Sequence, residues 1–518
     1  MLPELPVTEA LPRLAAALRD ASNAVLVAPP GAGKTTLVPL SLLDEPWLGD
    51  GRILVLEPRR LAARAAARRM SDLRGEALGQ TVGLTTRLDR AVSDATRIEV
   101  VTEGLLVRRL QSDPGLEGVA AVLFDEAHER HLDTDLGLAL CLDLQRALRP
   151  ELRLVAMSAT LDAAGFATLL GEEGRPAPVI ESAGRMFPVE IRHRPRDLAS
   201  PRDLPEAMAG AIREALREHP GDVLAFLPGW GEIARTAERL DGLKVGGLDA
   251  DVIALHGELP PAEQDRALSP STRRKVVLST SIAETSLTVP GVRIVVDGGF
   301  RRVPRLDPAS GLSKLATVRI GRATAEQRAG RAGRTEPGVA IRLWSEALHR
   351  GLPLADRPEI LEAELSGLAL DCAAWGAEPR DLAFPDPPPE GTLAAARALL
   401  RDLDALDAEN RITPTGRRMA RLGTHPRLAR MMEAATSPEE RALAADLAAL
   451  LEERDPIRAP SRDRDAPSDI ELRLDLLRGG DHPGADRATL SRIRRAAGLH
   501  RRRPVSYTHL RAHETEAD

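Results

Sequence analysis

The sequence predicts an α/β protein: two successive parallel-sheet units of roughly 160 residues each, followed by smaller helical modules. Three observations lead there. Short apolar runs alternate with helix-length stretches over the first third of the chain. The same alternation restarts near residue 222. Beyond residue 346 the strand patterns fade and helical spacing takes over.

In the first unit, 23–28 (NAVLVA) is an uninterrupted apolar run of the buried-strand kind, and 33–43 reads as the helix after it. The run 52–56 (RILVL) is a second strand, followed by an alanine- and arginine-rich helix over 60–70; 98–101, 121–124 and 152–156 are further strands. The Gly- and Pro-containing stretch 171–190 reads as a boundary. Strands of the second unit are expected at 222–227, 252–255, 275–278, 293–296 and 340–343. Between 298 and 319, two extended runs around a Pro/Gly turn predict a β-hairpin. Helices over 392–403 and 415–420 flank an ITPTG segment, the pattern of a winged-helix-like module, and 427–500 is helical and arginine-rich around a charged loop at 455–469. The expected domains are therefore 1–175, 185–345, a winged-helix-like 346–426 and an incomplete helical module 427–503, with a tail over 504–518.

Composition narrows the class. The chain of 518 residues is 43% hydrophobic and 29% charged, ordinary values for a soluble multidomain protein. No apolar run approaches the roughly 20 residues of a membrane span, and the N-terminus carries Glu4 and Glu9 without a basic segment, unlike a secretory leader. Two isolated cysteines make no disulfide framework. The expectation is a cytoplasmic protein. The net charge of −6 requires any nucleic-acid site to be a local basic surface. Lys34, Lys244, Lys275 and Lys314 are the only lysines among 71 basic residues. A lysine kept against such a bias is expected where a compact ammonium is needed.

The strongest motif is APPGAGKTT at 28–36, between a predicted strand and a predicted helix. A phosphate-binding P-loop needs glycines so that backbone N–H groups can wrap phosphate oxygens. It also needs a lysine for the β/γ-phosphates and a hydroxyl for Mg²⁺. Gly31, Ala32, Gly33, Lys34, Thr35 and Thr36 form the loop and its helix start, where the N-terminal dipole also favours phosphate. Ala28 stands where the strict pattern begins with glycine, and a Gly-rich turn that binds nothing is the competing reading.

The segment VLFDEAHER at 122–130 ends an apolar strand with two carboxylates. Beside a P-loop, Asp125 can hold Mg²⁺ together with Thr35, while Glu126 can serve the metal and orient an attacking water. Otherwise such a pair is a solvated helix start. In EQRAGRAGR at 326–334, Gly330 and Gly333 are expected to permit tight turning, and Arg331 and Arg334, three apart, to face one direction on a helix. Two guanidinium groups there could stabilise transition-state charge from the second unit, or they belong to a solvated basic helix.

Taken in order, APPGAGKTT, LEPRRLAAR, VTEG, DEAH, SAT, LHGEL, STSIAETSLTVPGV and QRAGRAGR resemble the motif series of superfamily 2 helicases of the DEAH-box group, over residues 15 to about 500. The resemblance implies two tandem RecA-like domains followed by a winged helix and a helical module. It implies a monomeric, ATP- and Mg²⁺-dependent enzyme that hydrolyses ATP to move along single-stranded or partly duplex RNA, with DNA left open. An ATP-gated clamp without unwinding activity is the alternative. By the same resemblance Glu126, Gln327, Arg331 and Arg334 are catalytic. His128 would couple the ATP site to Ser158, Ala159 and Thr160. Arg59, Arg60, Thr102, Glu103, Gly104, Thr285, Ser286 and Thr288 would grip the nucleic-acid backbone, donors suited to phosphate and indifferent to base sequence.

Two positions depart from the group: Ser281 stands where asparagine is usual and Gly321 where serine is common. His256 has no partner at ligand spacing and reads as a hydrogen-bonded loop histidine, so no metal other than Mg²⁺ is expected. The final stretch PVSYTHLRAHETEAD holds the only tyrosine and matches no part of the pattern. It reads as a non-native tail on a chain shorter than its family, with a flexible native terminus as the alternative.

Overall fold

Continuous apolar strands need helices to cover them, and in the first part of the chain strands alternate with helices. In the computed structural model the described residues are 3–502 except 160–162, 173, 183–186, 258, 285–286, 308–311 and 458–467. The predicted tail and most of the 455–469 loop therefore lie outside the described residues. The first sheet contains β1 (Asn23–Val27), β2 (Arg52–Leu56), β3 (Val82–Thr85), β4 (Arg90–Ala91), β5 (Ile98–Val101), β6 (Val119–Phe124), β7 (Arg153–Ser158) and β8 (Val179–Glu181), in the order β4-β3-β5-β2-β6-β7-β1-β8. Every neighbour pair is parallel except β3 with β4.

Register aligns one edge of this sheet. Val27 pairs with Ser158, Ala156 with Phe124, and Phe124 with Leu56. The residues that follow, Ala28, Ala159, Asp125 and Glu57, consequently leave the strands at the same carboxyl edge, where open parallel sheets bind ligands.

The second sheet repeats the plan. It is built from β9 (Val189–His193), β10 (Asp222–Phe226), β13 (Asp251–Leu255), β14 (Lys275–Ser279), β15 (Val292–Asp297) and β18 (Gly338–Arg342), all parallel, in the order β13-β14-β10-β15-β18-β9. The short β11 (Lys244–Val245) and β12 (Leu248–Asp249) pair with each other. The predicted hairpin is β16 (Phe300–Asp307) with β17 (Leu312–Arg319), antiparallel from Phe300 opposite Arg319 to Asp307 opposite Leu312. The sequence reading missed β3, β4, β8 and β9, and the two-residue β11 and β12. β8 and β9 are partly exposed edge strands without an apolar run to announce them. They lie in and beside the predicted boundary, and each closes an edge of one sheet.

The described residues divide into two compact units, one of 3–107, Gly115–Glu364 and Leu382–Pro387, the other of Arg108–Pro114, Leu365–Asp381 and 388–502. The first holds both sheets, each with its own core, and a third apolar cluster joins Leu61 and Ala62 to Phe226, Val277 and Val295. The second unit is helical. Thr413 caps the helix Pro414–Leu422 and Ser437, with Glu440, forms a capping box on Pro438–Glu452. Ala449, Leu474, Ile493 and Ala496 pack into its core. Among the described residues no helix is long and apolar enough to cross a membrane.

Two glycines have steric roles. Gly333 does not adopt a positive φ, contrary to the expectation of turn freedom, but a Cβ there would lie 2.4 Å from the carbonyl oxygen of Phe187. Gly321, the departure from serine, precedes the helix Arg322–Gly330; its N–H bonds Asp356 Oδ1 at 2.6 Å, and a Cβ would meet the Ala355 carbonyl carbon at 2.8 Å. Gly321→Ser is therefore expected to destabilise the protein by about 1–3 kcal/mol through overpacking against backbone, read as a lower urea midpoint; an unchanged midpoint would show that the 355–356 loop yields freely.

Candidate nucleotide and nucleic-acid site

The loop after β1 turns through Gly31 and Gly33, whose φ values of 82° and 92° fall where a side chain is strained. This turn delivers Lys34 to the start of the helix Lys34–Ser41, 3% exposed. Its Nζ lies 2.8 Å from Glu126 Oε1 and 3.9 Å from Asp125 Oδ1. Thr35 Oγ1 donates to Asp125 Oδ2, and Asp125 Oδ1 accepts from the N–H of Glu126 at 2.9 Å. The P-loop and the acidic loop thus meet through charge-assisted bonds.

Burial sets the electrostatics here. It resists the charge on Lys34, but Glu126 and Asp125 outweigh it and hold the ammonium above its usual range. Burial also raises the Asp125 carboxyl to about 6 against the pull of Lys34 and Thr35. Glu126, held in the left-handed region at φ 50°, is 3% exposed, and its Oε2 has no hydrogen-bond partner among the described residues. A buried acceptor without a partner is costly, and it fits a site that takes up water or a ligand. The carboxylate, hydroxyl and ammonium set suits Mg²⁺ and phosphate: oxygen donors for a hard cation, nitrogen donors for the anion.

The second sheet contributes from the helix Arg322–Gly330 and the short turn Arg331–Gly333. Gln327 Nε2 and His128 Nε2 are 2.8 Å apart, and His128 Nδ1 accepts from the N–H of Ala159 at 3.2 Å. Burial holds His128 below the usual imidazole range, so it is neutral, with its proton on Nε2. That assigns the Gln327 amide oxygen to the contact. Ser158, fully buried, accepts from Ala28 through its carbonyl. Thr160 lies outside the described residues.

The two arginines do not act as a parallel pair. Arg331 is 3% exposed and turned inward, donating to the carbonyls of Glu284 at 2.7 Å and Leu287 at 2.8 Å. Arg334 reaches over the P-loop: a Cβ on Gly31 would lie 3.0 Å from its Cζ. Arg334 also donates to Thr288 Oγ1 at 2.5 Å. Burial lowers Arg334 to about 10, opposed by Glu126.

A cleft of about 560 Å³ is lined by Arg59, Arg60, Glu103, His256, Gly257 and Thr280, among others. Arg60 is exposed there. Arg59 is committed, donating to Glu129 Oε2 at 2.7 Å and to the carbonyl of Ser281. Thr102 and Gly104 flank Glu103 where the helix Glu103–Ser112 begins, and Glu103, bonded by Thr134 Oγ1, is raised by burial to about 7. Thr288 is not brought to this cleft, because its hydroxyl is bonded to Arg334. Thr285 and Ser286 lie outside the described residues. His256 packs edge-on against Trp230, ring centroids 5.8 Å apart.

Sequence reasoning missed Arg328, 1% exposed, with Nη1 2.8 Å from Asp297 Oδ1, Nε 3.5 Å from Glu284 Oε1 and its guanidinium over the Phe226 ring. It also missed Glu129 and Glu359. The signal for Arg328 was its place inside the QRAGR run; Glu359 offered none.

Residues 9–167 match the DEAD/DEAH box helicase family, 206–336 the helicase conserved C-terminal domain, and 396–424 the helicase associated domain (HA2), winged-helix. The chain is 46% identical to the ATP-dependent RNA helicase HrpB of Escherichia coli over 452 residues, 87% of this chain and 55% of that protein. It is 34% identical to the E. coli ATP-dependent RNA helicase HrpA over 439 residues, 83% of this chain and 33% of that one. The crystal structure of E. coli DEAH/RHA helicase HrpB superposes with a TM-score of 0.85 at 43% identity, covering 96% of this chain and 60% of the other. The chain thus spans little more than half the length of HrpB.

Proposed function

Because the chain belongs to the DEAD/DEAH-box helicases, we propose that it is an ATP-dependent RNA helicase, hydrolysing ATP to ADP and phosphate to move along single strands and open duplexes. The observation that carries this reading is the 2.8 Å contact between His128, on the acidic loop of the first sheet, and Gln327, on a helix of the second. It ties both sheets to one nucleotide site, so that turnover and the relative position of the lobes depend on each other.

The chain's own groups divide the work. Backbone N–H groups of the P-loop wrap the phosphates, and Lys34 exchanges its bond to Glu126 for the β/γ-phosphates. Glu126, freed of Lys34, takes the proton of the attacking water on its carboxylate. Gln327 orients that water, and Arg334 spreads the charge that develops on the transferring phosphoryl group. Arg331 holds the carbonyls of Glu284 and Leu287, and Arg334 shares the second of them. Thr35 and Asp125 would hold Mg²⁺, whose charge would neutralise the phosphate oxygens when bound. Arg60, Arg59 and the cleft beside them receive the RNA backbone.

Steady-state ATP turnover with and without single-stranded RNA tests this, with Lys34→Ala as the blank. RNA is expected to raise turnover severalfold, and Lys34→Ala to abolish it. Turnover indifferent to RNA would reject RNA as the substrate, and RNA-stimulated turnover without strand separation would select the clamp reading.

A further inference from the structure

The acidic loop carries more ionised side chains than nucleotide chemistry uses. One oxygen, Glu129 Oε2, is shared by two cations, Arg59 Nη2 at 2.7 Å and His131 Nε2 at 2.8 Å. The other ring nitrogen of His131 faces Glu359 Oε2 at 3.4 Å. Both nitrogens therefore meet carboxylates and both donate, which is the imidazolium form. Burial opposes that charge, but Glu103, Glu129 and Glu359 outweigh burial and keep His131 well above the usual imidazole range.

The placement is unusual for a cation. His131 is the N-cap of the helix Leu132–Ala147, the helix end that disfavours positive charge. Glu359 offsets this from a distant part of the chain: its Oε2 accepts the N–H of Leu132 at 2.9 Å, while its own N–H donates to the Arg130 carbonyl at 3.1 Å. Arg59, His131, Ser281 and Glu359 also line both the 560 Å³ cleft and a second cavity of about 470 Å³ that reaches His128 and Gln327. These four residues form the partition between the proposed RNA cleft and the side chains that join the lobes.

We propose that His131 is a positioning residue, the standby cation that keeps Glu129 and the acidic loop in place when an RNA phosphate draws Arg59 into the cleft. The proposal rests on the RNA reading above. A buried carboxylate stripped of its cation is strongly unfavourable. With His131 present, Arg59 can leave Glu129 without stranding it; without His131, RNA must bind against that penalty.

The test is His131→Gln in the full chain, scored by ATP turnover against RNA concentration. RNA-free turnover and the maximal stimulated rate are expected to hold, while the half-saturating RNA concentration rises roughly tenfold. His131→Lys is expected to restore it. In the parent, half-saturation should climb as pH rises through the raised His131 value, a climb that the lysine variant lacks. The groups facing His131 in that titration are Glu103, Glu129 and Glu359, with His128 and Asp135 also in electrostatic range and Arg59 on the far side of the shared Glu129. Parental half-saturation in His131→Gln would overturn the proposal.

A second measurement does not depend on RNA. In urea unfolding, Arg59→Gln and His131→Gln should each cost little, because the other cation remains, whereas the double variant should lose far more than the sum. Additive losses would overturn the shared-cation argument. A parent that ignores RNA but shows a non-additive cycle would instead reject the RNA reading alone.

Discussion

Glu126→Gln is expected to lower ATP turnover by about 100- to 10,000-fold, the range that general-base catalysis contributes, while leaving nucleotide binding intact. The carboxylate is 3% exposed, and Oε1 is already used by Lys34. A glutamine oxygen can take over that contact, so the P-loop and the acidic loop should stay joined. What the amide lacks is an acceptor basic enough for the proton of water, and Oε2, which accepts no hydrogen bond from the described residues and lies 3.6 Å from His128 Nδ1, is the atom that loses the function. Single-turnover hydrolysis together with binding of a fluorescent ATP analogue checks both halves. Turnover at the parent rate would remove Glu126 from the role of base.

Arg328→Ala should cost about 3–5 kcal/mol of stability, the usual price of breaking a buried ion pair from one side. The substitution leaves Asp297 and Glu284 without their guanidinium, at 2% and 5% exposure, and uncovers the Phe226 ring. Urea denaturation should show a lower midpoint, and Arg328→Lys should recover only part of the loss, since an ammonium cannot span both carboxylates. A midpoint within about 0.5 kcal/mol of the parent, the level of an ordinary surface change, would show that the cluster relaxes or admits water.

The contrast between these residues shows how far sequence reasoning reaches. Gly31, Gly33, Lys34, Thr35, Asp125 and Glu126 were legible because their chemistry is local. A strand, a tight turn and a helix start are written in consecutive residues, and the turn alone aims the lysine. Lys275 follows the lysine-scarcity argument in another way: fully buried, its Nζ binds the carbonyls of Ala267 and Ser269 at 3.1 and 2.9 Å, closing the end of a helix. Arg331 and Arg334 were not separable by spacing. Whether a guanidinium turns to backbone carbonyls or to the P-loop depends on where Glu284, Leu287 and Thr288 come to lie, information held some 45 residues away. At Gly321 the sequence showed only a departure from serine, and at Gly333 it suggested turn freedom that the backbone does not use; the close backbone of 355–356 and 187, which leaves no room for a Cβ, was not visible.

By itself the sequence determined the central apolar strands of the two parallel sheets, the hairpin and the phosphate and acid loops, because periodicity and turn chemistry act over neighbouring residues. Only the tertiary structure decided which cations share which carboxylates: Arg59 and His131 on Glu129, Glu359 on the helix at Leu132, Arg328 between Asp297 and Glu284. The reason is physical. A chain with 71 basic and 77 acidic side chains offers many pairings of nearly equal local merit, and burial chooses among them by penalising every charge left without its partner.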